Sequence, residues 1–250
     1  MSKLRKVVCI QVAMKEEGIG FAEKLKLEET EYLDRDFGFR EFRGTFGANL
    51  DIHLFLQGTD ERFQAEQVGL EPAAVCATLI LKTYRPDILM NFGTAGSFSK
   101  AGFGIGESVL IESPVRFHDR RVPLPGYFDS QVGGYPVAKH SNLKMKLGIK
   151  GAQLSSGSSL EMSKRDEEVL IEQNADMKEM EGAAIAWVAS KMKVPFLSIK
   201  SVTDIIDSPE KIEEQFLKNL HTASKNVQDV SISALEFLDS NLNDDIWSVG

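Results

Sequence analysis

The sequence predicts a three-layer α/β/α sandwich around a central mixed sheet. Short runs rich in Val, Ile and Leu alternate along the chain with segments whose apolar residues recur at three- and four-residue steps, the pattern of strands interleaved with helices. A hairpin-like stretch at residues 42–56 adds antiparallel pairing, which makes the sheet mixed. The length of 250 residues suits one large α/β domain over 1–250, with a core from about 6 to 240.

The elements follow in order. Lys6–Val12, KVVCIQV, is the first strand; Ala13 to Glu17 emerges from it before a helix through Lys26. Phe42–Leu56 is the hairpin, with Gly47-Ala48-Asn49 at its turn and LDIHLFL as the return strand. Ala73, Ala74, Ala77, Ile80 and Leu81 form the apolar face of a helix from about Gln67 to Tyr84, which Pro86 ends. DILMNF is a buried strand, and Gly93-Thr94-Ala95-Gly96 behind it is expected as a tight turn, the alternative being a stretch that offers N–H groups and a hydroxyl to a sugar or anion. Glu107–Glu112 is a further strand, and the proline- and glycine-bearing stretch 116–134 is loop. Ser163 caps a helix to Gln173, and Ala175–Met180 is a short strand leading into Glu181. A helix of small residues (Gly182, Ala183, Ala184, Ala186, Ala189) then runs until Val194-Pro195, followed by an apolar strand ending near Asp204. Ser208-Pro209-Glu210 has the chemistry of a helix start. The stripe Ile212, Phe216, Leu220, Ala223, Val227, Val230, Ala234 marks the long helix behind it. The polar tail NLNDDIWSVG is expected to fray unless Trp247 docks.

Composition narrows the function classes. A net charge of −8 argues against a nucleic-acid partner, which calls for a basic patch. The densest basic spots, KLRK at residues 3–6 and Arg120-Arg121, suit solvated surface better. No apolar stretch approaches the length of a membrane span, and no secretory leader is recognisable. Cys9 and Cys76 lie in apolar runs with no Cys-x-x-Cys pair, as in a cytoplasmic protein. The four histidines have no metal-ligand spacing, so no metal is expected, and His118 is expected to bond its neighbour Asp119. Gly102-Phe103-Gly104-Ile105-Gly106 leads into a strand, whereas a dinucleotide fingerprint must open a helix.

Three acids fall where strands or loops should end: Glu17, Glu181 and Asp204. In an open α/β sheet, ligands sit outside the carboxyl ends of strands, so these acids can share a crevice. Cleaving an N-glycosidic bond needs such a set. One group must give a proton to the departing base, another must activate water, and a third must hold the ribose hydroxyls. On spacing alone the alternative stays open: Glu181 favouring a helix dipole, and Asp204 capping the next helix.

Six motifs carry a resemblance over about Val7 to Leu238. They are Ala13-Met14-x-x-Glu17, Asn91-x-Gly93-Thr94-x-Gly96, Phe117-His118-Asp119-Arg120-Arg121-Val122-Pro123, Leu154-Ser155-x-Gly157-x-Ser159-Leu160-x-Met162-Ser163, Met180-Glu181-Gly182-Ala183-Ala184 and Ser201-Val202-Thr203-Asp204. In these the chain resembles the nucleoside phosphorylase superfamily, and within it the plant-type branch of 5′-methylthioadenosine/S-adenosylhomocysteine nucleosidases. The resemblance implies a nucleoside phosphorylase-like fold and hydrolysis of methylthioadenosine to adenine and methylthioribose in methionine salvage. S-Adenosylhomocysteine is a second candidate substrate, and no cofactor is implied. It further implies that Glu17 activates water, that Asp204 acts on purine N7 and the exocyclic amine, and that Glu181 binds the ribose 2′-hydroxyl. Met180 would pack on the sugar, Thr94 would lie near the reacting ribose face, and Leu160 would contact adenine. Val122–Phe128 would reach a partner subunit's site in a homodimer.

The resemblance also bears on the rival readings. Hexameric purine phosphorylases carry arginine where Asn91 stands and an arginine-bearing loop where Met14–Glu17 stands. Phosphate binding calls for those arginines, and a glutamate in their place repels phosphate. A non-catalytic storage-type relative would be favoured by loss of one of the three acids, and all three are present. Val12, Ser97 and Ser158 depart from the family pattern, with Val12 expected to narrow the site beside Glu17.

Overall fold

The computed structural model describes residues 5–30 and 32–249. Lys3 and Leu4 of the KLRK stretch, and Gly250 of the tail, lie outside the described residues. The strands are β1 (Lys6–Val12), β2 (Glu28–Glu29), β3 (Arg40–Phe46), β4 (Leu50–Leu56), β5 (Thr59–Asp60), β6 (Ala65–Glu66), β7 (Ile88–Ser97), β8 (Ser108–Ile111), β9 (Val115–Phe117), β10 (Gly133–Tyr135), β11 (Gly151–Ala152), β12 (Leu154–Ser156), β13 (Met177–Glu179) and β14 (Phe196–Ile205). The α-helices are α1 (Lys15–Leu25), α2 (Leu70–Tyr84), α3 (Phe128–Val132), α4 (Ser141–Leu147), α5 (Lys164–Glu172), α6 (Gly182–Met192) and α7 (Ile212–Ser240).

The fold is the expected α/β/α sandwich. Strand alternation divides the core into two layers. Val8, Ile10 and Val12 of β1, with Leu50, Ile52, Leu54 and Leu56 of β4, join Phe21 of α1 and Val227, Ala234 and Leu238 of α7 on one face. Cys9 and Phe55 point the other way, into the layer built by Ala73, Ala77 and Ile80 of α2 and Ala183, Ala186 and Ala189 of α6. Both cysteines are buried free thiols. The α6 alanines present little more than backbone to α2, which lets the two helices pack closely.

The sheet is mixed. β1 pairs parallel with β4 and β7, and β7 pairs parallel with β14. β3–β4, β7–β13 and β8–β14 are antiparallel. One feature of β7 opens the site. β1 accompanies it only as far as Asn91, opposite Gln11, and β13 joins it only at Gly96 and Ser97. Between those points β7 keeps β14 on one side and leaves a gap on the other, at the carboxyl end of β1. This is the crevice in which open α/β sheets take ligands.

Four expectations are corrected. Gly93–Gly96 is no turn: β7 runs through it, paired to Lys200, Ser201, Val202 and Asp204 of β14. Glycines there admit neighbouring side chains, and they do not bend the backbone. The stretch 116–134 is not all loop, since it holds the end of β9, the short α3 and the start of β10. Ser208 does not cap α7, which begins at Ile212. Gln215 reaches back instead, donating to Ile205 O, Ser208 Oγ and Glu210 O, and ties the 205–210 segment down as a turn. The tail docks: Ile246 is buried, Trp247 Nε1 donates to Asn241 O, and Lys6 Nζ lies 5.3 Å from the Trp247 ring centre. Among the described residues no helix is long and apolar enough to cross a membrane.

Candidate active site

Glu17 sits in the first turn of α1, directly behind β1, and is buried. Its Oε1 accepts hydrogen bonds from Thr94 N at 2.7 Å and Thr94 Oγ1 at 3.0 Å; Oε2 accepts from Met14 N at 3.2 Å. From the other side, Gln228 of α7 donates to the Glu16 and Glu17 carbonyls and holds this turn in place. Burial pushes the Glu17 carboxyl up, while the Lys200 charge and the bonds from Thr94 and Met14 pull against it; the net shift is upward.

Asp204 lies near the carboxyl end of β14, where a bulge between Val202 and Asp204 shifts the register against β7. Its Oδ1 accepts from Thr203 Oγ1 at 2.7 Å. Burial raises this carboxyl too, opposed by the Thr203 bond and the Lys178 charge. The glycines of β7 are what admit the two acids. A Cβ at Gly93 would stand 2.7 Å from Glu17 Oε1, and one at Gly96 would collide with Asp204 Oδ2.

Glu181 occupies the cap position before α6, but its side chain makes no capping bond. Oε1 instead accepts from Gly69 N at 2.8 Å. Burial and the neighbouring Glu179 charge raise its pKa to about 8, against the opposing pull of Lys200. Of the alternative readings, the one for Asp204 does not hold, because it lies inside a strand, eight positions before the helix it was to cap; Glu181 does stand at the start of α6, without a capping bond.

A cavity of about 260 Å³ gathers Glu17, Thr94, Leu160, Met180, Glu181 and Asp204 on one wall set, with Ala13, Met14, Val68, Ser159, Lys178, Glu179 and Phe216. All six residues singled out in the sequence line it. Leu160 stands in a segment clamped by Lys178, whose ammonium donates to the carbonyls of Ser159, Leu160 and Glu161 at 3.0, 2.6 and 3.2 Å. Asn91 is absent from the lining; it is buried in the sheet, donating to Gln11 O and accepting from Ser198. Val12 is also outside it, packed on Gly18 in the core, so it does not narrow the site. His118 does not bond Asp119: its Nδ1 lies 3.3 Å from Ser155 Oγ, and Asp119 accepts from Ser158 N. Its ring packs against Gly157, where a Cβ would meet Nε2 at 2.5 Å. Burial, aided by the Lys178 charge, lowers the His118 pKa to about 4, which leaves the ring neutral.

Sequence reasoning passed over Lys178, Glu179 and Lys200. Lys200 is buried within an apolar strand and bonds Glu179 at 2.9 Å. A lysine inside the run FLSIKSVT was the available signal, because a buried ammonium requires a carboxylate. Among the described residues, no cluster of His, Cys, Asp and Glu suits a metal ion, and no arginine lines the cavity.

Known proteins resemble this chain in sequence and fold. The family model described as the Phosphorylase superfamily matches residues 7–236. The chain is 34% identical to the 5′-methylthioadenosine nucleosidase of Arabidopsis thaliana over 95% of its own length and 89% of that protein's. It is also 34% identical to the Arabidopsis 5′-methylthioadenosine/S-adenosylhomocysteine nucleosidase, over 94% and 92%. The structure of the Arabidopsis 5′-methylthioadenosine nucleosidase in apo form superposes with a TM-score of 0.91 at 32% identity, covering 94% of this chain and 96% of that one. A match to the superfamily over nearly the whole chain, with these relatives beside it, shows that the chain belongs to the phosphorylase superfamily and, within it, to the 5′-methylthioadenosine/S-adenosylhomocysteine nucleosidases.

Proposed function

We propose that the protein hydrolyses the N-glycosidic bond of 5′-methylthioadenosine, releasing adenine and methylthioribose for methionine salvage, with S-adenosylhomocysteine as a bulkier alternative substrate. The observation that carries this reading is that Glu17 and Asp204 lie over Gly93 and Gly96 of one strand and line one cavity. As the C1′–N9 bond breaks, its electron pair moves to the purine and Asp204 gives its proton to N7. The sugar becomes cationic. Glu17 takes a proton from water, whose oxygen bonds C1′. Burial suits both roles: it makes Glu17 a stronger base and keeps a proton on Asp204 further toward neutral pH. Glu181 accepts from the ribose 2′-hydroxyl, Met180 packs on the sugar, Thr94 sits at the reacting ribose face and Leu160 contacts adenine.

Water, and not phosphate, is the nucleophile. The cavity is lined by Glu17, Glu179, Glu181 and Asp204, with Lys178 its one cation among the described residues. Lys178 is spent on three carbonyls, so nothing in the lining offers a phosphate dianion the arginine fork it needs. The chain acts as one unit over about residues 6–240, and its buried free thiols suit the cytoplasm. It works as a homodimer in which Val122–Phe128 completes the partner's site. Leu124, Tyr127 and Phe128 are exposed at 57%, 52% and 72%, an apolar cluster that calls for a cover.

The test is adenine release from methylthioadenosine, followed by chromatography in phosphate-free buffer and again with phosphate added. Turnover without phosphate, yielding free methylthioribose, is expected. Strictly phosphate-dependent turnover would overturn the reading in favour of a phosphorylase, and no turnover in either buffer would favour a non-catalytic relative.

A further inference from the structure

The first turn of α6 is capped in an unusual way. A helix start leaves several amides unpartnered, and a Ser, Thr, Asp or Asn at the cap position usually satisfies them. Here the cap residue is Glu181, whose side chain is turned away to Gly69 N. Glu179, two positions upstream on β13, does the work in its place. Its Oε2 accepts from Glu181 N at 3.0 Å and Gly182 N at 2.9 Å, and its Oε1 from Gly182 N and the hydroxyl of Ser156. Ser156 Oγ in turn accepts from Ala183 N at 2.8 Å. Three successive amides are thus fastened to β12 and β13. Lys200 Nζ, from β14, closes the cluster on Glu179 at 2.9 Å.

We propose that Glu179 is a positioning residue: it takes over the capping of α6 so that Glu181 is free to face the ligand, and it holds a carboxylate, paired with Lys200, beside Glu181. This rests on the nucleosidase reading for what Glu181 binds. A buried carboxylate is a costly cap compared with a serine, because both it and its lysine must leave water. A serine or aspartate at position 181 would cap α6 more simply, but a side chain turned to the cap would give up the bond from Gly69 N that Glu181 accepts. The charged groups facing Glu181 are Glu179 from β13, Lys200 from β14 and Glu17 from α1. Burial pushes the Glu179 carboxyl up, yet Lys200 and the Ser156, Lys200 and Gly182 bonds outweigh it and keep it ionised. Its negative charge therefore stands beside Glu181, with Lys200 as its partner.

The experiment compares Glu179→Gln, Glu179→Asp and the double variant Glu179→Gln/Lys200→Met with the unaltered protein. It reads kcat and KM for methylthioadenosine across pH, together with titration of the ¹³C-labelled Glu181 carboxyl, assigned by its loss in Glu181→Gln. Glu179→Gln removes the neighbouring charge and frees Lys200, so the Glu181 titration is expected to move to lower pH. kcat/KM is expected to fall about 10²-fold, the scale of an ångström-level misplacement, chiefly through KM. Glu179→Asp keeps the charge and loses reach; KM should rise while the Glu181 titration moves little. The double variant removes both charges, and its titration should return toward that of the unaltered protein. It is also the variant to read if an orphaned Lys200 unfolds Glu179→Gln. Should neither fold, the KM of Glu179→Asp decides, and a KM unchanged within twofold overturns the proposal. An unmoved Glu181 titration with unchanged KM in a folded Glu179→Gln also overturns it. If the unaltered protein releases no adenine, the nucleosidase reading fails separately, and the carboxyl titration still tests Glu179.

Discussion

Replacing Asp204 by Asn separates chemistry from folding more cleanly than any other change at this site. The substitution keeps the shape of the side chain and keeps an oxygen for the Thr203 hydroxyl, which donates to Oδ1 at 2.7 Å. The group over Gly96 keeps its volume, so no cavity forms. Burial raises the pKa of Asp204, so neutralising it removes a destabilised charge; Lys178 loses a favourable charge nearby but keeps its three carbonyl partners. Stability should therefore hold to within about 1 kcal/mol. What is lost is the proton for the departing adenine. One general-acid step contributes roughly 10²–10⁴ in rate, equivalent to about 2.7–5.4 kcal/mol of barrier. The expected result is a kcat lower by that factor, a Tm near that of the unaltered protein and retained binding of methylthioadenosine by calorimetry. A folded variant that releases adenine at the original rate would refute the leaving-group role. A variant that loses kcat only in proportion to its folded fraction would show that Asp204 acts on structure alone.

Three further outcomes are expected. Glu17→Gln should lower kcat by a similar roughly 10²–10⁴-fold. It should also destabilise by about 1–3 kcal/mol, since an amide cannot accept from Thr94 N, Thr94 Oγ1 and Met14 N together; paired kinetics and denaturant titration check this. Gly96→Ala should cost about 1–3 kcal/mol and most of the activity, because its Cβ would collide with Asp204 and stand 2.5 Å from Ile206; a normal Tm and rate would count against the glycine account of β7. Glu181 makes stability depend on pH: its folded pKa, raised to about 8, means that the folded state holds a proton the unfolded chain gives up near the usual carboxylate pKa. Its contribution is complete at acid pH and is lost as pH rises through about 8, so Glu181→Gln should flatten the fall in Tm between about pH 5 and 8. An unchanged slope in that variant would assign the dependence to other groups.

Much of the fold was legible because its determinants are local. The Val/Ile run of β1, the Gly47-Ala48-Asn49 hairpin turn, Ser163 with its capping box, and the three- and four-residue stripe of α7 each express a periodicity or a cap that acts within a few residues. Where the sequence misled, a distant partner intervened. Gly93–Gly96 has turn composition, yet β14 pairs with it and holds it extended; Ser208-Pro209-Glu210 has cap composition, yet Gln215 binds it as a turn. The acids were visible as residue types at element ends and through their motifs, because chemistry of this kind demands carboxylates.

Sequence by itself therefore determined the layers, most of the elements and the six residues singled out for the site. Tertiary structure alone decided how that site is held. It brought Gly69 N to Glu181, Gln228 from α7 to the Glu17 turn, Lys178 under the Leu160 segment and Lys200 onto Glu179. Each of these contacts joins residues far apart in the chain or on separate strands, so no local pattern encodes them. Their cause is the low polarity of the interior. Once burial strips water from a carboxylate or an ammonium, only a partner delivered by the fold can replace it.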